Sequence, residues 1–137
     1  MKRSVLIVFA AVVLGGVLGA GIDRAVLAQQ SGIKRTVLLR TDDPGSATYE
    51  AVMGIAELAP GANSGKHFHH GVEVGYVLEG TVVVEQENKP GVTMKAGETF
   101  KNDGAAIHEA KNPGGTPTKI LAVYIVEKGK PLAEPAR

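Results

Sequence analysis

The sequence predicts an all-β domain, a small antiparallel sandwich or barrel, on three observations. Beyond residue 28, eight short runs rich in Val, Ile, Leu and Thr follow one another at close, regular spacing. The segments between them carry the Gly, Pro, Asn and Asp of tight turns. Nothing beyond the leader repeats its apolar residues at helical period.

Residues 1–28 read as an export signal. Lys2 and Arg3 supply the positive start, residues 5–21 are an uncharged apolar run, and Val26, Leu27 and Ala28 place a small residue before a cut at Gln29. The eighteen uncharged residues 5–22 are also near the lower limit for spanning a bilayer, so the same segment, uncut, is a membrane anchor helix. The expected location is therefore periplasmic or secreted, or else the membrane surface through residues 5–22. Residues 29–128 are then a single domain, because a chain of this length builds one core and not two.

Within that domain residues 29–34 form a polar lead-in and residues 36–40 a short apolar strand, followed by a turn at 41–46. Residues 49–58 are the next strand, and 59–65 the turn that delivers His67. Residues 73–78 and 81–86, separated by Glu79 and Gly80, read as a hairpin between β-branched runs. Residues 92–94, 99–101, 107–110 and 118–126 supply the other strands. The last is apolar on both faces, with Leu121, Val123 and Ile125 on one and Ile120, Ala122, Tyr124 and Val126 on the other. One face fills a barrel and the other requires cover, which gives the expectation of a homodimer. Residues 129–137 are Pro-rich and expected to be a loose tail.

The net charge of +1, with its charges scattered, offers no basic face for nucleic acid. The absence of cysteine excludes a disulfide framework and thiolate chemistry. The informative residues are histidines. Of four, three stand at 67, 69 and 70 and the fourth at 108. His67 and His69, at i and i+2, share one face of an extended strand. Glu73 shares their parity, but Gly71 turns the chain between them, so its carboxylate is expected to return from a following strand. His108 adds a third imidazole. Nitrogen ligands of this kind suit Zn, Cu, Fe and Ni, and the carboxylate extends the choice to Mn. His70 has the opposite parity and reads as structural or exposed. Phe68, Tyr76 and Phe100 read as core or rim packing and Glu98 as solvated.

Two motifs carry a family resemblance. Gly61, five residues, His67, one residue, His69, three residues, Glu73, six residues and Gly80 resemble the first motif of the cupin superfamily. Gly97, His108 and Asn112 resemble the second, although Asp103, Gly104 and Ala105 stand in place of its Pro-x-Gly, which puts an acidic Asp103 near the mouth of any site. The resemblance implies a single-domain double-stranded β-helix, the cupin jelly-roll barrel, with a metal held inside by His67, His69, Glu73 and His108. Among small cupins of the Cupin_2 type it points to quercetin-dioxygenase-like oxidoreductases, with Glu73 as both ligand and catalytic proton acceptor.

Four protein ligands leave a six-coordinate ion two open positions, enough for a small oxygenated or enolisable substrate beside dioxygen or water. The same sphere also serves a Lewis-acid isomerase or lyase, or a non-catalytic module that binds or senses a metal or small ligand. Few aromatic residues follow the leader, so the pocket is expected to be small and aliphatic, a poor fit for a flavonoid.

Overall fold

The computed structural model describes residues 32–136, and the leader expected over residues 1–28 lies outside them. Ten strands follow in chain order: β1 (Ile33–Asp42), β2 (Tyr49–Leu58), β3 (His67–Phe68), β4 (Gly71–Glu79), β5 (Thr81–Gln86), β6 (Val92–Lys95), β7 (Thr99–Asn102), β8 (His108–Lys111), β9 (Thr118–Glu127) and β10 (Glu134–Pro135). They form two five-stranded sheets, ordered β1-β2-β9-β4-β7 and β10-β3-β8-β5-β6. Every ladder is antiparallel, and no helix occurs among the described residues. This is the expected double-stranded β-helix.

Period-two alternation builds the core between the sheets. Along β9 the buried positions are Thr118, Ile120, Ala122, Tyr124 and Val126, so this face fills the barrel. Val52, Leu58, Val77, Val82 and Val84 join them. Each such aliphatic side chain contributes roughly 1.5–3 kcal/mol on full burial. The opposite face of the first sheet leaves Val74, Tyr76, Leu78 and Ile125 exposed.

Register places the inward residues of the first sheet in rows. One row runs Arg40, Val52, Tyr124, Glu73 and Asn102 across β1, β2, β9, β4 and β7. The next runs Val37, Gly54, Ala122, Gly75 and Phe100, and a third begins Arg35, Ala56 and Ile120. In the second row the Phe100 ring lies over Gly75, where a Cβ would stand 2.2 Å from it.

Four expectations are corrected. The first strand is not confined to residues 36–40, and residues 33 and 34 are not lead-in: β1 pairs with β2 over its whole length. Its polar residues concealed it, because an edge strand earns its place by main-chain hydrogen bonding as much as by burial. Glu79 and Gly80 do not close a hairpin. β4 and β5 lie in different sheets, and Gly80, at φ 77° with Pro117 O only 2.7 Å from where a Cβ would stand, carries the chain across. The short strand β10 escaped the sequence, since two residues carry no period. Finally, the tail is not loose. Glu134 and Pro135 pair with Phe68 and His67, and Ala133 is buried.

Candidate metal centre

His67 and His108 face each other directly in the register of β3 and β8, with ring centroids 4.4 Å apart. The chain leaves β3 at His69, crosses to the first sheet and enters β4 at Gly71. That crossing sets the His69 ring 5.0 Å from both other rings and brings Glu73 back beneath them, as the turn at Gly71 predicts. One ring nitrogen from each of His67, His69 and His108 lies within 4.8 Å of the other two. Glu73 Oε2 sits 3.3 Å from His69 Nε2 and 3.2 Å from His108 Nε2. His69, Glu73 and His108 are buried. The four residues singled out in the sequence therefore meet at one point.

Each imidazole is oriented by a backbone carbonyl. His67 Nδ1 lies 2.8 Å from Gly65 O, His69 Nδ1 2.5 Å from Leu132 O, and His108 Nδ1 2.8 Å from Ala106 O. A carbonyl only accepts, so each Nδ1 carries the hydrogen and each neutral ring presents a bare Nε2 lone pair. The Nε2 atoms of His69 and His108 are buried without a hydrogen-bond partner, close to Glu73 but not aligned with it. Orphaned buried nitrogens are costly unless something else engages them. Donor atoms each about 2.0–2.2 Å from one ion stand roughly 3.0–3.4 Å apart, so the spacing to Glu73 fits adjacent ligands of a transition metal. The donor set and the orphaned atoms both fit such an ion.

Electrostatics sharpen this. Burial alone would raise the Glu73 carboxyl, but the His108 and His69 imidazoles beside it and the hydrogen bond from Asn102 outweigh it and hold the group below the usual carboxylate range. Asn102, itself buried, donates Nδ2–H to Glu73 Oε2 at 2.7 Å and accepts from Gln86 Nε2 at 2.8 Å. The Tyr124 phenol is pushed well above its ordinary value by burial and by the charge of Glu73, and its ring stands 4.8 Å from that of His69. For His67, burial lowers the pKa from 6.5 to about 4, although the Gly65 carbonyl opposes it.

A pH dependence follows from His67. Between pH 6.5 and 4 the unfolded chain protonates this residue and the folded chain does not, so stability is complete above 6.5 and falls as pH drops through that window. For chelator-treated protein the expected loss from His67 is about 3 kcal/mol. Glu73 adds to the loss only below its ordinary value of 4.5. Urea unfolding at a series of pH values measures the slope, and His67→Gln should flatten it above pH 4.5; an unchanged slope would contradict the assignment.

The tail belongs to the site. Leu132 O orients His69, Glu134 Oε2 stands 2.8 Å from His70 Nε2, and Ala136 N–H donates to Lys66 O. His70 thus turns away from the cluster, as its parity predicts, and holds the strap. Removing residues 131–137 should lower metal affinity about 10- to 100-fold, the usual effect of losing the partner of a ligating histidine, with the barrel still folded. Competition against a calibrated chelator checks this; unchanged affinity would show that the strap does not orient His69.

Three contributors escaped the sequence reading. Tyr124 looked like one more inward strand residue, Asn102 like a turn former, and Leu132 acts through its main chain, which no side-chain pattern reports. Asn112, noted within the second motif, is buried and fastens loops: Nδ2 donates to Leu58 O, Ala59 O and Thr116 O, and Oδ1 accepts from Gly114 N. Asp103 pairs with Lys101 at 2.8 Å and stays out of the cavity lining. Phe100 lines the cavity, Tyr76 is exposed, and Phe68 packs on His70.

A cavity of about 790 Å³ opens onto the cluster, with Leu58, Val84, Ile120 and Ala122 among its walls. It is aliphatic as expected, with Phe100 and Tyr124 as its aromatic residues, but it is not small. Ala56, Ala110 and Ala122 stand among its walls, where larger side chains would narrow it.

A family model described as a cupin domain (Cupin_2) matches residues 54–124, more than half of the 137-residue chain. A comparison with curated proteins finds no match. Among solved structures the chain is similar to a conserved protein with a double-stranded beta-helix domain from Klebsiella pneumoniae, at 22% identity and TM-score 0.65, covering 80% of this chain and 88% of that one. It is similar to an oxalate oxidase at 21% identity and TM-score 0.63, over 80% of this chain but only 58% of the other. It is also similar to a structure of DMSP lyases at 20% identity and TM-score 0.55, over 64% of this chain and 44% of the other. At these identities the likeness is one of fold.

Proposed function

The chain belongs to the Cupin_2 family of cupin domains, and from that premise we propose that it is a metal-dependent, dioxygenase-like oxidoreductase acting on a small enolisable substrate. One observation carries the reading: two orphaned imidazole nitrogens converge beside an ionised carboxylate, on the wall of a cavity large enough for a substrate. His67, His69, Glu73 and His108 would hold the ion. An ion of Fe, Mn, Ni, Cu or Zn there would supply Lewis acidity and, in all but Zn, electron-transfer capacity.

The chain's own residues account for the rest. Glu73, kept anionic by Asn102 and the flanking imidazoles, accepts the substrate proton, and Asn102 fixes its orientation. An enediol or 1,3-dicarbonyl compound offers a proton to such a base. Tyr124 stays protonated, with its hydroxyl beside the Glu73 carboxylate.

Oxygen uptake by purified, metal-reconstituted protein against a panel of 1,3-diketones, enediols and flavonols tests the proposal. Uptake that tracks metal content supports it. Product without oxygen consumption would replace it with a Lewis-acid isomerase or lyase, and binding without turnover under every metal would replace it with a binding or sensing module. Two further elements belong to the same proposal. The exposed row of Val74, Tyr76, Leu78 and Ile125 supports a homodimer, to be measured by sedimentation. The composition of residues 1–28 supports export, to be measured from the mass of the mature chain in the envelope fraction.

A further inference from the structure

Gln86 closes β5, which lies beside β8 in the second sheet, and its register partner on β8 is His108. Its side chain leaves that sheet. Gln86 Nε2 donates to Lys101 O at 3.0 Å and to Asn102 Oδ1 at 2.8 Å, both on β7 at the edge of the first sheet. One residue thereby ties the sheet that carries His67 and His108 to the sheet that carries Glu73.

The direction of this chain of amides is set from its outer end. A main-chain carbonyl only accepts, so Lys101 O requires the NH2 side of the Gln86 amide. The Lys89 ammonium only donates, and it meets Gln86 Oε1 at 2.8 Å, which requires the same orientation. Asn102 must therefore offer its oxygen to Gln86. Its Nδ2 then faces Glu73 Oε2 at 2.7 Å, and that same carboxylate oxygen stands 3.3 Å from His69 Nε2 and 3.2 Å from His108 Nε2. Asn102 is only 1% exposed, so a reversed amide would set its oxygen against the carboxylate with little water to screen the two.

We propose that Gln86 is a positioning residue of the metal centre, which holds the Asn102 amide in the one orientation that donates to Glu73 and so keeps Glu73 Oε2 aimed at His69 and His108. This rests on the metal-centre reading above and extends it to a half-buried side chain two hydrogen bonds away from Glu73. Linked amides polarise one another in a low-dielectric interior, so the outer hydrogen bond supports the inner one. The relay begins at Lys89 on the surface and ends on the carboxylate.

Three substitutions separate this role from a coulombic one, because the two order them oppositely. Gln86→Glu presents only acceptors to Lys101 O and Asn102 Oδ1, so the Asn102 amide should turn over, and zinc affinity by chelator competition should fall about 10- to 100-fold. Gln86→Lys keeps a donor and should stay within about threefold of the wild type. Gln86→Met is close in length but has no such polarity; it should fall between and guards against a glutamate variant that does not fold. Charge alone would make the glutamate variant the tightest binder of a cation and the lysine variant the weakest. That order, or equal affinity in all of them, would overturn the assignment. A second readout needs no metal. In NMR of chelator-treated protein, cross-relaxation from the Asn102 side-chain NH2 should reach Glu73 in the wild type and in Gln86→Lys, and should move to the substituted side chain on β5 in Gln86→Glu. Failure of the wild-type protein to bind zinc would refute the metal centre, and the cross-relaxation would then decide by itself whether Gln86 sets Asn102.

Discussion

Replacing His69 by alanine is expected to cut metal affinity by well over a hundredfold while the barrel remains folded. His69 is buried, its Nδ1 is fixed on Leu132 O, and its Nε2 faces Glu73 at 3.3 Å with no hydrogen-bond partner. Loss of a residue that merely supports a ligand already costs 10- to 100-fold, so loss of the ligand itself must exceed that. The fold should survive because the buried aliphatic residues, not the imidazole, supply most of the burial. Metal content by mass spectrometry, read beside a thermal melt, checks both halves. An alanine variant with full metal content would remove His69 from the centre, whereas an unfolded one would make the ion a structural requirement.

The second large effect is on stability. Gly71→Ala should destabilise the domain by about 4 kcal/mol or more, into the range where single substitutions become exceptional. A Cβ at Gly71 would lie 2.0 Å from Ile125 O and 2.8 Å from Val126 Cα. Those are main-chain atoms of β9, the strand to which β4 is laddered, with Gly71 opposite Val126. Neither can rotate aside, so the pair must part just where the chain enters β4 and sets Glu73. Gly97→Ala provides the comparison. Its φ is 94°, but nothing lies within 4 Å of the added carbon, so it carries only the conformational cost of about 1–2 kcal/mol. Urea unfolding of the two variants measures the difference, and equal losses would mean that the close approach to β9 is not what constrains Gly71.

Much of this was legible in the sequence where a residue's own chemistry was the message. The spacing of His67, His69, Glu73 and His108 announced that these four side chains would converge, because imidazoles and a carboxylate have few reasons to stand so close in an apolar barrel otherwise. The strand runs were legible because alternation reflects burial on one face, as in β9. What escaped was relational. That β4 and β5 belong to different sheets depends on partners remote in sequence. The reach of β1 was hidden by polar residues at an edge, and the inward turn of Arg40 depends on one extra residue, Leu38, whose effect appears only when β1 is laid against β2. Asn102 became part of the site because register set it beside Glu73.

The carbonyls of Gly65, Ala106 and Leu132 have a wider consequence. Where a carboxylate or amide side chain aligns an imidazole, a single mutation can scramble the tautomer. Here the proton is anchored by polypeptide that every substitution leaves intact. Cavity residues outside the core can therefore vary, and a redesign could exchange the exposed Val37 to admit new substrates without disturbing how the imidazoles are aimed.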